Sequence, residues 1–201
     1  RLLSQKAEKI SIFFKETRMD LKVLGNSYNL QSLIEAIHSD DIEEIEFWTD
    51  LVNEELSRMA MIRQRYMTIQ IIHKNFNEVI RIDYDQKENA LQQEIKPREV
   101  INGGFFTETL TLPLNQVNIH SLLHTNSNFL EEGFSEPVIQ FGTPLLTPGG
   151  KAEAVLVFTI SSQHLLHPFK KIPDGNIMLV NENGDFIHNS KKETIQNLGN
   201  S

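Results

Sequence analysis

Two neighbouring stretches of the chain carry polar residues at every second position, the spacing that places side chains on one face of a sheet. Arg81 and Asp83 are two residues apart in one stretch, and Tyr66, Thr68 and Gln70 alternate with apolar residues in the stretch before it. Side chains two apart in a strand point to the same side, so each set shares a face. Such a face can orient a small polar ligand, because pockets place a few polar groups among apolar ones. The alternative is a solvent-facing surface with an ion pair along the strand.

Two histidine pairs have the spacing of metal-binding pairs. His120 and His124 are four apart, and His164 and His167 are three apart. Two histidines without a nearby carboxylate are weak evidence for a metal, so loop or surface histidines are the preferred interpretation and no metal site is predicted. The sequence contains no G-x-S-x-G, H-E-x-x-H or phosphate-loop motif. We therefore predict no catalytic residue, no cofactor and no enzymatic activity for this chain.

Composition restricts the class of protein. The 201 residues are 39% hydrophobic and 23% charged, which is typical of a globular chain. The formal net charge of −8 argues against nucleic acid as a partner, because phosphate binding needs a basic surface. There is no cysteine, which excludes disulfides and thiolate chemistry. The sequence begins at Arg1 rather than Met and has no run of eighteen apolar residues, so we expect a fragment of a longer protein without a membrane span of its own.

The first 24 residues have the periodicity of one long helix, which Gly25 would end. Apolar and small residues alternate at spacings of four and three, as in a coiled-coil seam. The stripe consists of Leu3, Ala7, Ile10, Phe14, Thr17, Leu21 and Leu24. It predicts either a dimer seam continuing from an upstream membrane helix or a face packed on its own domain.

Two further helices follow. Residues 28–39 have one apolar face, and a third helix is predicted to start at Asp40, with Glu43 in the capping position. Trp48 lies on the apolar stripe of that helix, so we interpret it as a core anchor.

After residue 64 the pattern changes to the period of strands. Two stretches in which polar and apolar residues alternate flank the polar segment 73–77, and together they predict a hairpin. Residues 137–160 predict a second hairpin, with a Pro-Gly-Gly turn. Residues 176–188 predict a third hairpin that turns at Asn183-Gly184. Three helices followed by a mostly antiparallel sheet define an α+β fold.

These elements, in this order, resemble the double Cache domains (PDC, PAS-like), the extracytoplasmic sensor domains of bacterial receptors. The resemblance lies in the long first helix, in Arg65-Tyr66 and the stretch 78–82 of the first hairpin, in 117–121, and in 137–160. It implies a long N-terminal helix (1–25), a membrane-distal PAS-like module with a helical wrap (26–165) and a partial or reduced membrane-proximal module (166–201).

The resemblance also implies a ligand site and a function. The implied ligand-binding residues are Tyr66, Gln70, Arg81, Asp83, Phe106, Asn118 and His120. Residues 105–116 contain no Arg and no Trp, unlike amino-acid-binding members, which argues against an amino acid as the ligand. The implied function is signal sensing in the periplasmic part of an inner-membrane receptor, most often a histidine kinase, with homodimerisation through the first helix. The alternatives are an interaction module that responds to a periplasmic protein, and the sensor of a diguanylate cyclase or chemoreceptor.

Overall fold

Three helices precede one antiparallel sheet in this chain. The computed structural model describes residues 2–92, 103–122, 138–162, 178–180 and 186–189. The helices are α1 (Leu2–Gly25), α2 (Tyr28–Ser39), α3 (Ile42–Arg63) and α4 (Gly103–Leu110). The strands are β1 (Thr68–His73), β2 (Glu78–Asp85), β3 (Ala90–Leu91), β4 (Asn118–Leu122), β5 (Val138–Leu146), β6 (Ala152–Ser161), β7 (Met178–Val180) and β8 (Phe186–Asn189).

Side-chain and backbone caps set the boundary between α2 and α3. Ser27 caps α2 by accepting a hydrogen bond from the amide of Leu30. Asp40 adopts a left-handed conformation and ends α2. The cap of α3 is Asp41, whose carboxylate accepts the amide of Glu44. The predicted start of α3 at Asp40 is therefore wrong by one residue, because Asp40 is used to end the preceding helix.

Six strands form one sheet in the order β3-β2-β1-β6-β5-β4, and every pairing in it is antiparallel. The two predicted hairpins are β1–β2 and β5–β6, and β6 joins them by pairing with β1. The turn between β5 and β6 is closed by Gly150, whose φ of 79° suits glycine. Strands β7 and β8 form a separate antiparallel pair, as predicted, although the turn between them lies outside the described residues.

The hydrophobic core lies between α1–α3 and one face of the sheet. Alternate residues of β1, β2 and β6, such as Ile71, Ile80 and Leu156, point into it. They meet Leu33 of α2 and Leu56 of α3. Burying each such side chain stabilises the fold by about 1.5–3 kcal/mol. The other face of the sheet is left for α4.

The predicted seam of α1 belongs in part to this core. Leu21 and Leu24 are buried within the chain, and Phe14 stacks edge-on against Phe141 of β5. Ile10 also packs against the core, whereas Ala7 is exposed. Leu3 lies in α1, but its side chain lies outside the described residues. From Ile10 onward the stripe therefore packs on its own domain. Leu21 and Leu24 are covered there and are not free to form a dimer seam, whereas Ile10 and Phe14 are only partly buried, and a seam at these two residues stays a prediction.

The predicted α+β class, with a helical segment followed by a mostly antiparallel sheet, is confirmed. No helix within the described ranges is long and apolar enough to cross a membrane.

Candidate functional site

Two rows of residues cross the face of the sheet that points away from α1–α3. The strand register aligns the residues of each row across β2, β1, β6, β5 and β4. The first row is Asp83, Thr68, Thr159, Gln140 and His120. The second row is Arg81, Gln70, Val157, Gly142 and Asn118. Five of the predicted ligand-binding residues thus lie on one face: Gln70, Arg81, Asp83, Asn118 and His120.

Helix α4 covers part of this face. Phe105 and Phe106 of α4 form a second hydrophobic cluster with Val155 and Val157 of β6. The approach is close because Gly142 has no side chain. A Cβ at Gly142 would lie 2.9 Å from the Cζ atom of Phe105. Phe106 is therefore at the predicted site, but as a buried contact between α4 and the sheet.

Arg81 lies at the β2 end of the face, between two carboxylates. Its Nε donates to both carboxylate oxygens of Asp83, at 2.9 and 3.1 Å, and its Nη1 donates to Glu78 at 3.1 Å. Gln70 Nε2 donates to the same Glu78 oxygen at 2.5 Å. Burial by itself lowers the pKa of Arg81, but the hydrogen bonds and charges of Asp83 and Glu78 outweigh it and raise the pKa. The guanidinium therefore stays charged, and it is already bound to the carboxylates of Asp83 and Glu78.

His120 and Asn118 lie at the opposite, β4 end of the face. The imidazole of His120 stacks on the ring of Phe105, with centroids 5.7 Å apart. Burial lowers the pKa of His120, an effect that the charge of Glu108 partly offsets, so the neutral imidazole is favoured at neutral pH. Asn118 Nδ2 donates to Thr109 Oγ1 of α4 at 3.2 Å. This end of the site is held by α4.

The centre of the face carries a hydroxyl group without a partner. Thr159 of β6 is fully buried, and its Oγ1 has no hydrogen-bond partner among the described residues. It lies between Thr68 and Gln140 in the first row. An unsatisfied buried hydroxyl costs about 1–3 kcal/mol, so such groups need a reason.

The predicted residues do not all reach one small ligand. From β2 to β4 there are four strand-to-strand steps, which is about 19 Å along the sheet at about 4.8 Å per step. Arg81 and Asp83 are therefore separated from Asn118 and His120. One small molecule therefore cannot contact both ends of the face.

Tyr66 lies on the other side of the sheet, so its predicted place in the ligand face is wrong. Its ring packs against Phe158 of the hydrophobic core, and its hydroxyl donates to Asp20 of α1 at 2.5 Å. The reason is that β1 begins only at Thr68, so the strand period does not extend back to Tyr66. Thr68, by contrast, shares the face with Gln70, as predicted.

The sequence prediction missed Thr159 and Gln140 as site residues. Both lie in the hairpin 137–160, from which the sequence pattern predicts no site residue, yet they are direct partners across β5 and β6. The strands change register between Leu145 and Leu146, so the position of the Pro-Gly-Gly turn alone does not reveal that these two polar residues are paired. Within the ranges that the structure describes, no group of three or more His, Asp or Glu can hold a metal ion. His124, His164 and His167 lie outside those ranges.

Solved structures share this fold. A domain of a sensory box/GGDEF family protein from Vibrio parahaemolyticus matches 92% of this chain and 68% of its own, with a TM-score of 0.73 and 18% identity. The ligand-binding domain of the Campylobacter jejuni chemoreceptor Tlp3, in complex with 4-methylisoleucine, matches 97% of this chain and 71% of its own, with a TM-score of 0.64 and 17% identity.

The sensor domain of the V. cholerae histidine kinase DctB matches 94% of this chain and 64% of its own, with a TM-score of 0.66 and 11% identity. The chain thus spans about two thirds of the length of these structures. No protein-family model matches the chain, and a comparison with curated proteins finds no significant match. The chain therefore has the fold of the sensor domains of histidine kinases and chemoreceptors, and the predicted Cache-type fold is confirmed.

Proposed function

We propose that this chain is the extracytoplasmic sensor domain of a bacterial membrane receptor and that it binds a small polar ligand on the α4 face of the sheet. The observation that carries the proposal is the buried hydroxyl of Thr159 in the middle of a polar row, which has no hydrogen-bond partner in the part of the chain that the structure describes. A ligand that bonds to this hydroxyl removes the cost of leaving it unsatisfied. The shared fold supports the proposal, because related domains such as that of Tlp3 hold small molecules.

The charges on the face indicate the kind of ligand. Arg81 is the natural partner for a carboxylate, but Asp83 and Glu78 already occupy it. A carboxylate ligand would have to compete with two carboxylates that are part of the protein. We therefore favour an uncharged or cationic polar ligand that bonds to the centre of the face.

The receptor mechanism follows from the contacts of α1. Asp20 of α1 binds Arg65 and Tyr66, the residues that lead into β1. A ligand that binds one arrangement of the sheet more tightly shifts the population toward that arrangement, and α1 then moves with β1. In this proposal, residues 26–165 sense the ligand, residues 166–201 begin a membrane-proximal module, and the output is a histidine kinase. A diguanylate cyclase and a chemoreceptor are the alternative outputs.

The experiment is a thermal-shift screen of the chain against small carboxylates, amines, amino acids, sugars and nucleobases, repeated with Thr159→Val. Valine has the same shape but no hydroxyl, so the unliganded variant should be as stable as the wild type or more so. A hit at about a hundred times its Kd stabilises by about 2.7 kcal/mol. We expect that shift to be lost in Thr159→Val.

Thr17→Val is the matched control, because Thr17 is equally buried but donates to Phe13 in α1, away from the face. It should lower stability slightly and keep the ligand shift. A hit that survives Thr159→Val unchanged, or a screen without hits, would count against a ligand at this position.

We also propose that homodimerisation, if α1 mediates it, uses a different stripe from the predicted one. Ile12, Met19 and Val23 are exposed on α1 and lie seven and four residues apart, as on one helix face. Met19→Glu should convert a dimer to a monomer in sedimentation velocity, whereas Arg18→Glu, exposed on a different face of α1, should not. A sedimentation coefficient that Met19→Glu leaves unchanged would remove this stripe from the interface.

A further inference from the structure

The negative charge of the chain is concentrated in α2 and α3. Nine of its 27 acidic residues lie between positions 23 and 57, a stretch that contains no Lys and no Arg. The rest of the chain holds 18 acidic residues and 19 Lys and Arg, and is therefore close to neutral. The net charge of −8 thus comes from this one stretch of the chain rather than from the chain as a whole.

The same stretch exposes aromatic rings. Tyr28 at the start of α2 is 76% exposed and Phe47 of α3 is 57% exposed. Trp48 lies between them, with ring centroids 5.5 Å from Tyr28 and 5.0 Å from Phe47, both in edge-on geometry. Trp48 was predicted to be a core anchor. It contacts the core with one side only and presents the rest to its two exposed neighbours.

Carboxylates surround these rings. Glu43, Glu44 and Asp50 lie four, three and three residues from Phe47, the spacings at which helical side chains are neighbours. Glu44 also accepts a hydrogen bond of 2.6 Å from the indole Nε1 of Trp48, which fixes the ring. We call Tyr28, Phe47 and Trp48, with these three carboxylates, the acidic aromatic face.

We propose that the acidic aromatic face is a docking site for a second protein whose contact surface is basic and carries an apolar side chain. Exposed, adjacent aromatic rings mark interaction surfaces, and aromatic residues supply most of the binding energy there. The surrounding carboxylates select Arg and Lys on the partner and repel acidic surfaces. A second copy of this chain would bring the three carboxylates of this face against the same three carboxylates, and an anionic membrane would be repelled in the same way. This inference is independent of the ligand site on the sheet.

The test uses the fluorescence of Trp48, which is the only tryptophan in the chain and therefore reports on this face alone. The probe is an amphipathic helical peptide with leucine on one side and arginine on the other, without aromatic residues. We expect saturable binding that changes the Trp48 emission and weakens as salt is added. A peptide of the same length with glutamate in place of arginine should not bind.

Variants separate docking from general attraction between opposite charges. Phe47→Ala should raise the Kd of the arginine peptide about tenfold, and the double variant Glu43→Gln/Asp50→Asn should do the same. Ile62→Ala is the control, because Ile62 is also an exposed apolar residue, lies at the other end of α3 and should leave the Kd unchanged. Equal affinity of the wild type and Phe47→Ala, or equal binding of the glutamate peptide, would overturn the proposal. Self-association in sedimentation velocity that disappears in Phe47→Ala would overturn it as well, because the occupant would then be a second copy.

Discussion

The hydroxyl of Tyr66 donates a buried hydrogen bond to Asp20 across the boundary between the sheet and α1. The same carboxylate accepts hydrogen bonds from Arg65 at 2.8 Å and from Arg63 at 2.5 Å. Burial is the largest cause of the raised pKa of Tyr66, and the hydrogen bond to Asp20 adds to it, so the phenol stays protonated and acts as a donor. Because these are the residues leading into β1, Asp20 links α1 to the start of the sheet, in addition to the apolar contacts that α1 makes with the core.

Tyr66→Phe should therefore weaken this link without disturbing the core. The ring remains against Phe158, and only the hydrogen bond to a charged group is lost, at a cost of about 1.5–3 kcal/mol. Urea denaturation measures the difference. Tyr28→Phe is the control, because Tyr28 is exposed and its loss of a hydroxyl should change the unfolding free energy by less than about 0.5 kcal/mol. Equal effects of the two substitutions would show that the contact to Asp20 contributes nothing.

Arg81→Ala should destabilise the fold, contrary to the simplest expectation for a ligand-binding arginine. Removing the guanidinium leaves the buried Glu78 and the largely buried Asp83 without the cation that they share, and breaking a buried ion pair costs about 3–5 kcal/mol. The same substitution at Arg58, whose pair with Glu54 is exposed at 3.7 Å, should cost less than about 0.5 kcal/mol. Thermal and urea unfolding of both variants test this. A stable Arg81→Ala protein would indicate that Arg81 is held for a ligand rather than for the sheet.

Gly142→Ala should separate α4 from the sheet. The added Cβ would lie 2.9 Å from Phe105 and 3.0 Å from Thr109, so the helix must shift, at a cost of about 1–3 kcal/mol. Gly104→Ala in α4 is the matched control, because a Cβ there meets no atom within 4 Å and alanine favours helix. We expect loss of stability and of any ligand shift in the first variant and neither loss in the second. A fully stable Gly142→Ala would show that the contact between α4 and β5 is loose.

Local patterns were sufficient to predict the helices and hairpins, but not which side chains meet across the chain. The periods of α1–α3 and the turns of the hairpins depend on neighbours in sequence, and they were predicted within a few residues. Tyr66 has the right period for the ligand face, yet Asp20, 46 residues away, holds it on the opposite side. Helix α4 was missed, because it is eight residues long and begins with two glycines, which disfavour helix. Its position depends on the space above Gly142, which no local pattern reveals.

The site was predicted only in part for the same reason. The face of Gln70, Arg81 and Asp83 follows from the strand period, and the structure confirms that they lie together. The contribution of Thr159 and Gln140 requires the register of a second hairpin and its pairing with β1 through β6. That pairing is a long-range contact, so the centre of the face becomes visible only in the folded chain.

Glu153 makes the stability of the fold depend on pH in the acidic range. The carboxylate is buried on β6 and binds His38 of α2 at 2.8 Å and Lys74 of the β1–β2 turn at 2.5 Å. Burial alone would raise the pKa of Glu153, but the hydrogen bonds from Lys74 and His38 and the charge of Lys151 hold the pKa below its ordinary value. A carboxyl group with a lowered pKa in the folded state stabilises the protein above its unfolded pKa of about 4.3. That stability is lost as the pH falls through the lowered value.

Glu153→Gln should therefore be less stable than the wild type at neutral pH, and the difference should shrink as the pH falls below about 4. Urea denaturation of both proteins between about pH 7 and pH 3 measures the difference at each step. Glu46→Gln, on the exposed side of α3, controls for the loss of one acidic residue and should follow the wild type throughout. A gap between Glu153→Gln and the wild type that stays constant or widens in acid would mean that the amide, and not the lost charge, causes the destabilisation.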